Sequence, residues 1–219
     1  MERMIEKFYG RIKARELTDR QIRLYDTLFN DVSINSITEI DKNEFNKVFL
    51  EVGFGGGEHI AQQALMDKES LFIGSEPFVN GVASLLVKID DNNSKNIRIF
   101  QDDARKLIRE IPDNSLDGMF LLFPDPWPKR KHFKRRFVQD ETIKEAHRIL
   151  KKGASWKIAT DHADYGQWIL RMFDKDPFDK MFSKTIFNKA NRPGEDVWPK
   201  TRYEQKSLGD ICFIIYTKI

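Results

Sequence analysis

Between residues 48 and 160 the chain alternates short apolar runs with amphipathic segments, and no other feature restricts the fold as much. The runs at 48–52, 71–74, 97–100, 118–123 and 154–159 are short, rich in large hydrophobic residues, and read as buried strands. The segments at 58–66, 79–89, 104–110 and 137–150 read as helices, the last closed by Gly153. Repeated strand–helix–strand units impose right-handed crossovers, hence an α/β fold with a mostly parallel central sheet and helices on both faces. Sheets of this kind bind ligands at the carboxyl ends of their strands. The residues directly after each apolar run are therefore the candidates for chemistry.

At 219 residues the chain can bury one ample core. We expect a main domain at 48–219, preceded by a basic arm and a short helix at 1–47. Thr18 followed by Gln21 forms a capping-box pattern that opens an amphipathic helix through Phe29. Residues 7–15 are basic with interleaved aromatics, which suits either an RNA contact or a solvated arm. Cys212 is the single cysteine and lies in an apolar run, so an intramolecular disulfide is excluded and a core thiol is expected. With no apolar leader and no run of membrane-spanning length, we expect a soluble, cytoplasmic protein without a membrane partner. His59, His132, His147 and His162 show no ligand spacing with an acid or cysteine, so no metal is expected.

The first strand runs into Glu51-Val-Gly53-Phe-Gly55-Gly-Gly57-Glu58. Without Cβ atoms, Gly53 and Gly55 let the backbone turn sharply and let a ligand lie against it. A dinucleotide-binding turn would place glycine where Glu58 stands, and a carboxylate there opposes a pyrophosphate at the helix N-terminus. An adenosine carrying positive charge, as in S-adenosyl-L-methionine, fits the acids better than NAD does. Glu76 ends the second strand and can accept ribose hydroxyl hydrogens; Asp102 and Asp103 end the third and can meet an adenine amino group, or cap the next helix.

The fourth strand ends in Phe123-Pro-Asp125-Pro-Trp127-Pro-Lys129. Its prolines forbid strand and helix and give a stiff turn. Lys129, Arg130, Lys131, Lys134, Arg135 and Arg136 follow with no acid among them, although the whole chain carries a formal net charge of only +3. A carboxylate, an aromatic plane and a basic cluster in one stretch suit nucleic-acid chemistry: the acid bonds a base edge, the cations hold phosphates, and Trp127 either stacks on a base or wedges the loop. A solvated basic face is the plainer alternative.

Glu51-x-Gly53-x-Gly55-x-Gly57, Ser75-Glu76, Asp103-Ala104, the block from Phe123 to Lys129, Asp161 and Thr201-x-x-Glu204 together resemble the bacterial tRNA (guanine-N7-)-methyltransferases, from about Phe8 to the C-terminus. The resemblance implies a Rossmann-like class I methyltransferase fold, S-adenosyl-L-methionine as cofactor, and methylation of N7 of the variable-loop guanine, position 46, in tRNA. It implies that Glu51, Glu76, Asp103 and Asp125 contact the cofactor, and that Asp125 is the catalytic residue. Lys129, Asp161, Thr201, Arg202, Tyr203 and Glu204 would hold the substrate, with Arg130, Lys134 and Arg135 as weaker phosphate contacts. The segment 190–204 is rich in breakers and reads as a loop that orders with substrate. Competing readings are a methyltransferase acting on an exocyclic amine of an RNA base, an RNA-binding protein without catalysis, and an NAD-dependent enzyme.

Overall fold

The computed structural model describes residues 16–40, 44–194, 198–201, 204–205 and 210–219. The basic stretch at 7–15 lies outside the described residues, as do Arg202, Tyr203 and part of the 190–204 loop.

Strands β1 (Lys47–Val52), β2 (Ser70–Ser75), β3 (Ile97–Phe100), β4 (Leu116–Leu122) and β5 (Leu150–Thr160) are parallel, as the alternation requires. They join β6 (Phe182–Phe187) and β7 (Cys212–Lys218) in one seven-stranded sheet of order β3-β2-β1-β4-β5-β7-β6. The last strand, β7, inserts antiparallel between β5 and β6. From β1 the chain builds outward through β2 to β3, then returns to lay β4 on the other side of β1. This reversal opens a crevice at the carboxyl ends of β1 and β4.

Helices α1 (Asp19–Thr27), α2 (Phe29–Val32), α3 (Glu58–Met66) and α4 (Val79–Asn92) meet a core cluster that includes Leu24, Ile60, Leu85, Phe72 and Ile99. Helices α5 (Ala104–Glu110), α6 (Asp140–Ile149), α7 (Ala163–Phe173) and α8 (Phe178–Met181) meet the other large cluster, around Leu107, Ile143, Trp156 and Tyr165. Alternation along β4 divides the two faces, since Met119 and Leu121 belong to the second cluster while Phe120 and Leu122 point the opposite way. Phe120, Leu122, Ala159 and Phe213 share a third, smaller cluster with the buried Trp198, whose ring lies 5.3 Å from that of Phe213.

The expected capping box holds: Gln21 N–H donates to Thr18, and Gln21 accepts from the Thr18 backbone. The α1 helix rests on α4 through Arg20, which pairs with Asp90 and Asp91, while Tyr25 donates to the Val79 carbonyl. The segment expected as a helix over 137–150 differs in both limits. It starts at Asp140, after the Gln139–Thr142 cap, and it passes straight into β5 at Leu150. Gly153 therefore does not close it. Leu150 pairs with Leu116, Ser155 pairs with Gly118, and Gly153, at φ +80°, absorbs the irregularity between those two registers.

Gly81, one turn into α4, packs directly under the glycine turn. A Cβ there would stand 2.4 Å from the Gly55 carbonyl oxygen and 3.2 Å from Glu76 Cγ. Alanine ordinarily favours a helix interior by about 1 kcal/mol over glycine, but a forced backbone shift costs about 1–3 kcal/mol. Gly81→Ala should lower the melting temperature by several degrees, and a value at or above that of the parent chain would show that the contact yields easily.

Candidate active site

The crevice between β1 and β4 is an open cleft of about 820 Å³. Gly53, Glu76, Asp103, Asp125, Trp127 and Arg135 are among its lining residues. Four of the residues expected at the cofactor thus come together from four different strand ends.

Gly53 and Gly55 have φ of +67° and +55°, a region that side chains adopt only under strain, and a Cβ at either would face open space. The turn is braced from below. Glu76 accepts the Gly55 N–H at 2.9 Å with one carboxylate oxygen and the Phe78 N–H at 3.0 Å with the other. Burial pushes Glu76 above its ordinary value; the two amides oppose the rise, and the nearby carboxylates of Asp125 and Glu51 add to it.

Glu51 lies behind the turn rather than in the cleft wall. It is buried, and its carboxylate meets His59 Nδ1 at 2.7 Å. His59, expected to lack an acid partner, therefore has one, because α3 folds its first turn back over β1. Among the described residues no group of three metal-ligating side chains forms. Asp103, not Asp102, lines the cleft. It caps α5 by accepting the Arg105 N–H at 3.0 Å, and its two oxygens also take Nε and an Nη of Arg105 at 2.9 and 2.5 Å. Burial alone would push Asp103 up, and the Arg105 bonds and charge outweigh it, holding the carboxyl below its ordinary range. Asp102 points outward to Lys106 at 2.6 Å.

The Pro-Asp-Pro loop is bracketed by two large residues in left-handed backbone, Phe123 at φ +52° and Trp127 at +43°. Each such residue costs about 1–3 kcal/mol and persists only when its surroundings hold it. The Phe123 N–H is tied to the Ala159 carbonyl at 2.8 Å. Trp127 is half-buried, with the Arg135 guanidinium 5.0 Å from its ring centroid and His132 edge-on at 5.9 Å. Asp125, between the prolines, is exposed.

A family model described as "Putative methyltransferase" matches residues 45–210. The tRNA (guanine-N(7)-)-methyltransferase of Caulobacter sp. (strain K31) is 42% identical over 96% of this chain and 94% of its own length. The enzyme of the same name from Zymomonas mobilis is 39% identical over 93% and 89%. The chain belongs to the tRNA (guanine-N7-)-methyltransferase family. Solved methyltransferases share the fold: a 30S ribosomal A1408 enzyme from an uncultured bacterium has a TM-score of 0.59 at 18% identity, covering 86% of this chain and 98% of that one. A 16S rRNA (adenine(1408)-N(1))-methyltransferase from Catenulisporales acidiphilia has a TM-score of 0.56 at 11% identity, covering 84% and 96%.

In this methyltransferase the basic run does not act as one patch. Lys129, Arg130, Lys131 and Lys134 are exposed along the short 3₁₀ helix Arg130–Arg135 and its approach. Arg135 turns onto Trp127, and Arg136 is fully buried. Of the residues expected to hold substrate, the described ones, Lys129, Asp161, Thr201 and Glu204, are not among those that line the cleft. Asp161 directly follows β5, at the same sheet edge as the loop of Asp125, and the cap of α7 is its neighbour His162, whose Nδ1 accepts the Tyr165 N–H. Thr201 accepts the Glu204 N–H at 2.9 Å, and Glu204 is buried against Arg192 at 2.8 Å. Arg105, Phe78 and Phe137 also line the cleft and went unnoticed in the sequence. For Arg105, the signal was a cation two residues after Asp103.

Because its folded value is raised, Glu76 keeps a proton to higher pH in the folded chain than in the unfolded one. Its contribution to stability is therefore present below the ordinary Glu value of 4.5 and is lost as pH rises through the folded value. The stability of the parent chain relative to Glu76→Gln, measured by urea unfolding, should fall as pH rises above the ordinary Glu value of 4.5. A gap that widens with pH would mean that the amides outweigh burial.

Proposed function

We propose that this methyltransferase uses S-adenosyl-L-methionine to methylate N7 of guanine 46 in the variable loop of tRNA. The observation that carries this reading is the placement of Asp125: an exposed carboxylate on a stiff, strained loop, at the mouth of an acid-lined cleft and directly before a row of exposed cations.

The residues present suit the cofactor. Both oxygens of Glu76 already accept an amide, and each keeps a lone pair for a ribose hydroxyl. Asp103 lines the same cleft, which supports its reading as an acceptor for an adenine amino group, and the carboxylates of Glu76, Asp125 and Glu51 give the neighbourhood of the glycine turn a negative field that favours a cationic ligand. The bound cofactor supplies a methyl group on a positively charged sulfur, which guanine N7 takes with an in-plane lone pair.

No proton has to leave N7 beforehand, so Asp125 is not needed as a base. Its carboxylate can accept from the guanine N1 and N2 hydrogens and stabilise the positive charge that the purine acquires. Alignment then supplies much of the rate, and a loop held rigid at both ends suits that role. Trp127 is pinned by Arg135 and His132, so it serves the loop's shape on that side. Lys129, Arg130 and Lys134 are exposed, which supports a role for them in holding the tRNA phosphates.

Purified protein incubated with methyl-labelled S-adenosylmethionine and unmodified tRNA, then reduced with borohydride and cleaved with aniline, should be cut in the variable loop. Label without cleavage would instead indicate an exocyclic amine. Asp125→Ala should keep its melting temperature and lose about 10²–10³ in kcat; near-normal turnover would remove Asp125 from the mechanism. Replacing Lys129, Arg130 and Lys134 together by glutamine should weaken tRNA binding and flatten its salt dependence by about 0.7–0.9 log units per log salt for each phosphate no longer held. An unchanged slope would leave these cations as a solvated face.

A further inference from the structure

Arg136 is a cation of the basic run that touches no solvent. Its Nε donates to the Pro126 carbonyl at 2.9 Å and one Nη to Asp164 at 2.5 Å, while its guanidinium lies 3.7 Å from the Phe133 ring centroid and 5.1 Å from those of Tyr165 and Trp168. The other Nη is buried and has no hydrogen-bond partner. A buried cation with one donor unmatched is a costly way to fill a core position, since an apolar side chain of similar volume packs at least as well. The placement makes sense through what the two bonds join.

Pro126 lies between Asp125 and Trp127, in the part of the loop that has no amide of its own to tie it down at 126 or 128. At the near end the loop is fastened by the Phe123 N–H to Ala159, and at the far end by Arg136 to the Pro126 carbonyl. Asp164 belongs to the first turn of α7, which follows β5 and Asp161. One guanidinium therefore links the loop after β4 to the turn after β5, the two segments that carry Asp125 and Asp161. We propose that Arg136 is a positioning residue for methyl transfer: it clamps the Asp125 loop against the start of α7 and fixes the separation of these two walls. The proposal rests on the reading of Asp125 as the residue that orients the substrate guanine.

The role predicts a particular split of kinetic effects. Lysine at 136 keeps a charge for Asp164 and loses the planar Nε donor, so the loop end is released while the ion pair stays. Asp125 then samples orientations that do not align the base. Arg136→Lys should lower kcat at least tenfold, leave KM for both substrates within about threefold of the parent, and make the bonds after Lys129 and Arg130 several-fold more sensitive to trypsin. Asp164→Asn, which loosens the other leg and spares the Pro126 bond, should give the same pattern in weaker form, and it decides the question if Arg136→Lys does not fold. Wild-type kcat in a folded Arg136→Lys would overturn the proposal, as would a loss of melting temperature in both variants with unchanged turnover and unchanged trypsin sensitivity. If the parent chain itself methylates no tRNA, the proposed reaction fails instead; trypsin sensitivity then still reports whether Arg136 clamps the loop.

Discussion

The reversal of strand order between β1 and β4 is the constraint from which the site follows. A parallel sheet built outward on one side and then on the other cannot cover the gap at the reversal with a crossover helix, so the strand ends there stay open. Into that gap the chain places a glycine turn from β1, Glu76 from β2, Asp103 from β3 and the Pro-Asp-Pro loop from β4. Each would be an ordinary surface feature elsewhere. The topology makes them neighbours.

Concentrating carboxylates in a half-buried crevice is unfavourable unless each is compensated, and the fold compensates them differently. Glu51 has His59, Glu76 has two backbone amides, and Asp103 has Arg105 as well as the start of α5. Burial pushes Glu76 up against its two backbone amides, whereas the charged Arg105 holds Asp103 low. Nearby, Lys157 lays its stem in the sheet with its amine over Phe120, and burial alone draws it below the ordinary lysine range. Asp125 is the exposed member of the acid set, and the basic residues begin four positions after it.

Rigidity is distributed in the same uneven way. The cofactor side is held by strands and a braced turn, whereas the Asp125 loop is strained and is tied by the Phe123 N–H at one end and by Arg136 at the other. The Arg135–Arg136 pair shows how one dipeptide serves both needs, one guanidinium against the Trp127 ring and the other in the core. A run of like charges read as a surface thus contains one internal fastener.

Local periodicity and residue type were enough to show the five parallel strands, three of the four helices expected between residues 48 and 160 at or near their true limits, the glycine turn, the acids at the ends of β1 to β3, and the stiff loop around Asp125. These depend on neighbours within a few residues, and a strand or a proline turn declares itself at that range. The antiparallel insertion of β7, the cover that Trp198 gives to Phe213, the pairing of His59 with Glu51 and the burial of Arg136 were decided by tertiary structure alone. Each depends on which distant segment packs against it, and the energy of a buried charge is set by that partner, which short-range pattern does not specify.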